Sequence, residues 1–169
     1  RLKPAHVRAG ALLGAIELIR SGVGAFCDMY FFMDEVARVI EQSGLKGCIG
    51  HGMIELWDEQ RGKKELSQAR RLVRDYEGYA DGRVRTMYAP HAPNTCSLEF
   101  LQKVREASDR DGVGIQMHLL ETKKERDELE ARYGQGIVPM LDEAGVLGKD
   151  VLAAHCVWLS DKDVRILHE

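Results

Sequence analysis

Three segments of the chain repeat one pattern: a short apolar run that ends in a histidine, with a helix beginning soon after. They occupy residues 84–93 (VRTMYAPHAP), 113–122 (VGIQMHLLET) and 151–159 (VLAAHCVWL). Strands that alternate with helices imply a parallel sheet, because each crossover helix carries the chain back to the same end. His91, His118 and His155 are therefore expected at the carboxyl ends of successive strands. Ligands and catalytic groups gather at that rim in α/β barrels and in open α/β sheets. Three imidazoles on one rim point to metal-assisted chemistry.

The alternation extends through the rest of the chain. Helical periodicity covers residues 7–20, with Gly22 as a stop signal, and 33–42, ending at Ser43-Gly44. Strands are expected over 25–30 (AFCDMY) and 45–54 (LKGCIGHGMI). A long polar helix is predicted over 63–79, with Leu66, Ala69, Leu72, Val73 and Tyr76 as its apolar stripe. Ser97 reads as the N-cap of the helix after the strand at 84–89, and Thr122 with Glu125 has capping-box spacing. A short helix reaches Gly145, and Ser160 caps the last one. One leading helix followed by five strand–helix units suits either a doubly wound sheet or part of an eight-fold barrel. No linker divides the chain, so a single domain over 1–169 is expected. The helical pattern runs up to both ends, from which we expect an internal piece of a longer protein.

Composition narrows the partners. The 169 residues are 44% hydrophobic and carry a net charge of −3, with a pI near 6.1. Basic residues such as Lys123 and Lys124 are interleaved with acids, so no phosphate-binding stripe forms and nucleic acid is not an expected partner. No apolar run has the length of a membrane span, and no membrane association is expected. Cys27, Cys48, Cys96 and Cys156 show no C-x-x-C pairing, which suits buried, reduced thiols in a cytoplasmic protein.

Alternation orients the central strand. Val113, Ile115, Met117 and Leu119 share one face, and Gly114, Gln116 and His118 share the other. The apolar face should pack under helices, leaving the polar face for a barrel interior. Glu121, three residues past His118, supplies the carboxylate that hydrolytic metal sites use as a proton carrier. A single strand-end histidine is more often a hydrogen-bonded rim residue, so the argument rests on the recurrence. Asp28 at a strand end reads as a capping or salt-bridging group, and His51 as a structural residue. A Cys–His nucleophile is disfavoured. Cys156 follows His155 directly and leaves the opposite face of the strand, and Cys96 has no thiolate-stabilising feature.

The motifs themselves carry a resemblance. APHAPNTCS at 89–97 is similar to the APHAPYTCS signature of the amidohydrolase superfamily, with Asn94 in the tyrosine position. MHLLET at 117–122 resembles its HxxET strand end, AAHCVWL at 153–159 its AAHCVWL segment, and AFCDMY another of its elements. The branch resembled is the deaminases of S-adenosylhomocysteine, methylthioadenosine and related 5′-modified adenosines, with the neighbouring chlorohydrolases. The resemblance implies a (β/α)8 barrel of which this chain holds about strands two to six. It implies one divalent metal, most often zinc, with iron or manganese as the alternatives, and a small purine nucleoside as substrate. It makes His118 a metal ligand, Glu121 the acid/base that also contacts the substrate ring, His155 a proton-moving residue and His91 a substrate contact. Arg61 is the candidate for binding a substrate carboxylate. The first-strand H-x-H pair and the eighth-strand aspartate of the family are not in this chain. Guanine or cytosine deamination, triazine chlorohydrolysis and a non-catalytic barrel fragment are the other readings. Homo-oligomerisation is compatible with all of them.

Overall fold

The computed structural model describes residues 1–168; Glu169 lies outside them. Helix α1 (Pro4–Arg20) starts before the predicted residue 7 because Pro4, which lacks an N–H, suits a first turn. Strand β1 (Ala25–Tyr30), helix α2 (Met33–Ser43) and strand β2 (Lys46–Met53) follow. Helix α3 (Glu59–Tyr76) also starts ahead of its predicted residue. Asp58 caps it, its carboxylate accepting from the amides of Gln60 and Arg61. The helix stops at Tyr76 because Glu77 turns away to accept from both the amide and the hydroxyl of Thr86, each at 2.6 Å.

The third strand is split. β3 (Val84–Thr86) and β4 (Ala89–Pro90) pair with β2 in one continuous register, Gly47 opposite Val84 and Gly52 opposite Ala89. Between them, Tyr88 turns its main chain to the next strand, donating to the Gly114 carbonyl and accepting from the Gln116 amide, each at 2.9 Å. Helix α4 (Leu98–Asp111) is capped by the Ser97 hydroxyl, which accepts from the Phe100 amide. Strand β5 (Ile115–Leu119), helices α5 (Lys123–Tyr133) and α6 (Ile137–Glu143), strand β6 (Val151–His155) and helix α7 (Asp161–His168) complete the described chain.

Every pairing is parallel, and the strands lie in space in chain order, from β1 through the split third strand and β5 to β6. A doubly wound sheet must reverse its order at a switch point. This one does not. Right-handed crossovers along an unreversed sheet place the helices on one side, which makes the sheet an arc of barrel wall. The helix-facing side is apolar, as alternation predicts: Ile49, Val84, Ile115, Met117 and Leu119 are wholly buried. The core falls into three parts, the smallest formed by Ala15, Val39 and Leu45 between α1 and α2. Tyr88, Leu101, Ile115, Met117 and Leu141 belong to the largest, and Met33, Val36, Ile40 and Ile49 to the second.

The opposite side is the interior. There Gln116 donates from Nε2 to the Asp28 carbonyl at 2.9 Å and accepts from the Cys27 thiol at 3.0 Å. Its amide passes over Gly50, where an added Cβ would lie 2.5 Å from Gln116 Nε2 and from Ala89 Cβ. All four cysteines are free. The expectation of burial is met fully by Cys96, whereas Cys27 is exposed because it projects from an outer strand. No helix among the described residues is long and apolar enough to cross a membrane.

Candidate active site at the carboxyl rim

The sheet delivers the three strand-end histidines to one place. The rings of His91 and His118 lie 4.9 Å apart between centroids, and those of His118 and His155 lie 5.3 Å apart. Glu121 joins them, its Oε2 3.6 Å from His155 Nε2. That separation is ion-pair reach, longer than a hydrogen bond.

Hydrogen bonding fixes two of the tautomers. His118 Nδ1 lies 2.8 Å from the carbonyl oxygen of His91, which can only accept, so Nδ1 carries the proton. The lone pair of a neutral His118 is then on Nε2. His91 Nδ1 lies 2.9 Å from the Thr95 hydroxyl, which spends its single proton on the Ala92 carbonyl at 3.1 Å. His91 must therefore donate from Nδ1, and its Nε2 is likewise left with a lone pair. Burial, and next the neighbouring His118, hold the His91 pKa below the ordinary imidazole value, which favours the neutral ring.

The rim loops are pinned by two buried carboxylates: Glu55, which nothing in the sequence singles out, and Glu125, which has capping-box spacing with Thr122. Glu55 accepts from the amide and hydroxyl of Ser97 and from the amide of Trp57, and the Leu56 amide donates to the Thr95 carbonyl at 2.9 Å. This bracing fixes the loop that carries His91. Glu125 bonds the main chain at Leu120 and Glu121. The capping-box spacing marks Glu125 as the residue that turns back, but not that it reaches past Thr122 to Leu120 and Glu121. Strained backbone gathers at the same rim: Leu120, His155 and Cys156 have φ of 51°, 73° and 52°.

Other singled-out residues lie elsewhere. Arg61 is exposed on the first turn of α3, and no described contact ties its guanidinium to the histidines. His51 is buried on the helix side of β2, its Nε2 2.7 Å from Glu65 Oε2, which suits the structural reading. Burial raises the Asp28 carboxyl. Cys96 is buried with its thiol on the Met53 carbonyl, and burial pushes its pKa up, which leaves it a poor nucleophile.

The donor chemistry suits one vertex of a metal shell. His118 offers Nε2 while Nδ1–H is held by a carbonyl, the outer bond that orients metal-binding histidines. Among the described residues, no group of three or more His, Cys, Asp or Glu side chains is arranged to hold a metal ion. A complete site needs ligands beyond these.

A sequential parallel arc with imidazoles and a carboxylate on its carboxyl rim describes part of an α/β barrel wall with a candidate site, and the chain belongs to the amidohydrolase family, whose model matches residues 1–169. Within it, the chain is 55% identical over 167 residues to the 5′-deoxyadenosine deaminase of Methanosarcina barkeri, covering 99% of this chain and 39% of that protein. It is 44% identical to the 5-methylthioadenosine/S-adenosylhomocysteine deaminase of Thermococcus sibiricus, with coverages of 99% and 39%. The chain thus spans about two fifths of the length of these curated relatives. An adenosine deaminase from Xanthomonas campestris with bound zinc superposes with a TM-score of 0.88 at 26% identity, covering 98% of this chain and 38% of that one. A guanine deaminase from C. acetobutylicum gives 0.88 at 16% identity, with coverages of 98% and 42%, and shows the fold alone.

Proposed function

We propose that the protein hydrolyses the exocyclic C–N bond of a 5′-modified adenosine, of the 5′-deoxyadenosine, methylthioadenosine or S-adenosylhomocysteine type, and releases ammonia. One observation carries the reading: His91, His118, His155 and Glu121 converge on one rim, with lone pairs left on Nε2 of His91 and His118. The names of the relatives at 44–55% identity support the substrate class.

His118 would hold a divalent metal through Nε2, and the zinc bound in the Xanthomonas neighbour favours zinc over iron or manganese. Such a metal, when bound, supplies an activated water at neutral pH. The chain's own residues do the rest. Glu121 would take a proton from the attacking water and pass it to the ring nitrogen beside the carbon that carries the amino group. His155, facing Glu121, moves the proton that the departing ammonia needs. His91 stays neutral and accepts from the substrate at Nε2. Arg61, exposed near the rim loop after β2, is the candidate for a carboxylate on the 5′ substituent. Four free thiols, one wholly buried, suit a reducing compartment, and a cytoplasmic location belongs to this reading.

The test uses the full-length, metal-loaded protein. Ammonia release is measured with 5′-deoxyadenosine, methylthioadenosine, S-adenosylhomocysteine, guanine and cytosine, and chloride release with a chlorotriazine. Turnover of the adenosines is expected. Ammonia from guanine or cytosine alone, chloride from the triazine alone, or no product at all would overturn the proposal.

A further inference from the structure

The structure assigns Glu125 as a positioning residue that acts through the main chain to set Glu121 against His155. The kinetic part of this inference rests on the deaminase reading; the geometric part does not. Helix α5 is largely exposed and charged, yet Glu125 on its first turn is buried. A buried carboxylate is costly unless its lone pairs are met. Here Oε1 accepts from the Leu120 amide at 3.1 Å and Oε2 from the Glu121 amide at 2.9 Å, while the Glu125 amide donates to the Thr122 hydroxyl. A capping box returns its glutamate to the N-cap amide, which would be that of Thr122. This one reaches further back, to the two residues between the strand and the cap.

Leu120 is gripped from both sides. Its amide is held by Glu125, and its carbonyl accepts from the amides of Val157 and Trp158 at 3.2 and 3.1 Å. Those two residues follow His155 and Cys156, which share the left-handed backbone of Leu120. For side-chain-bearing residues that conformation persists only where the surroundings enforce it. The corners after β5 and β6 therefore interlock through one peptide, and Glu125 anchors it. The 3.6 Å approach of Glu121 to His155 is the outcome.

The test is Glu125→Gln in the full-length protein. A glutamine has one acceptor for two amides and turns an N–H toward the other. Amide hydrogen exchange at Leu120 and Glu121 should rise by about tenfold or more, since the mutation frees one or both. Displacement of Glu121 should lower kcat by about 10- to 100-fold with KM changed less than about threefold, as misplacement of an acid/base group does. Metal content should not change. Leu129→Ala, which removes a buried anchor of α5 without touching the carboxylate, is the control and should leave most of kcat. Unchanged exchange at both amides overturns the inference, as does a Leu129→Ala enzyme with the same kcat loss. Should the variant not fold, the wild-type protein decides: the amide of Glu121, an exposed residue, must be protected, and rapid exchange there refutes the assignment. If the wild-type protein releases no ammonia from any adenosine, the deaminase reading fails, and the exchange result still judges Glu125.

Discussion

The ring of His118 donates from Nδ1 to the carbonyl oxygen of His91 across 2.8 Å, so one rim histidine sets the tautomer of the next. The lone pair for a metal is placed by the backbone of β4's exit loop, with no dedicated side chain required. Nitrogen-15 NMR of the folded protein without metal should show the Nδ1–H tautomer of His118. In the full-length protein, His118→Ala should lower bound metal to well under one equivalent, measured by elemental analysis, with unfolding temperature nearly unchanged after metal removal. An Nε2–H tautomer, or full metal content in the variant, would remove His118 from the ligand set.

Glu121 is exposed, and its removal should leave the fold intact. Glu121→Gln should lower kcat for the preferred adenosine by about 10²- to 10⁴-fold, the range for loss of general acid–base catalysis, with metal content retained. Ammonia release gives the first quantity and elemental analysis the second. A loss under tenfold would mean that another group carries the proton.

Tyr88 is wholly buried, its hydroxyl on Asp111. Burial, and then that carboxylate, push its pKa up to about 12 from 10.0. A raised phenol pKa favours the neutral form in the folded state. Its stabilisation is complete below pH 10 and disappears as pH rises through about 12. Two units correspond to about 3 kcal/mol as an upper figure. Urea unfolding at pH 9 and pH 11.5 should show this decline, and Tyr88→Phe should flatten it.

Gly50 lies where Gln116 crosses the interior. In Gly50→Ala the new methyl would sit 2.5 Å from both Ala89 Cβ and Gln116 Nε2, and Ala89 is on a strand that cannot easily yield. A cost of about 1–3 kcal/mol is expected for such overpacking, read as a lower urea midpoint. The same change should weaken the Gln116 bond to the Asp28 carbonyl, visible as altered exchange at β1.

Much of this architecture could be read from residue order, for a physical reason. Alternation in residues 113–119 puts Ile115, Met117 and Leu119 on the helix side, where they are wholly buried, and Gln116 and His118 inside. The caps at Ser97 and Thr122 are local chemistry and appear where the sequence places them. Structure and sequence pattern part where a hydrogen bond to another segment intervenes. Glu77 ends α3 by capturing Thr86, and Tyr88 splits a strand by bonding to β5. The same distinction holds at the site. Strand ends point to the three histidines and Glu121, and capping-box spacing to Glu125, whereas Glu55 and the particular amides that Glu125 takes are set by the fold. The choice between barrel and doubly wound sheet depended on strand order, which no local pattern encodes.

The two outer strands, β1 and β6, each leave one row of amides and carbonyls without a strand partner among the described residues. A hungry ladder at either margin of a curved ribbon is an invitation to template growth. Handled alone, the polypeptide should recruit further copies edge to edge, into swapped ribbons or aggregates, and neighbouring strands added in trans should suppress that polymerisation.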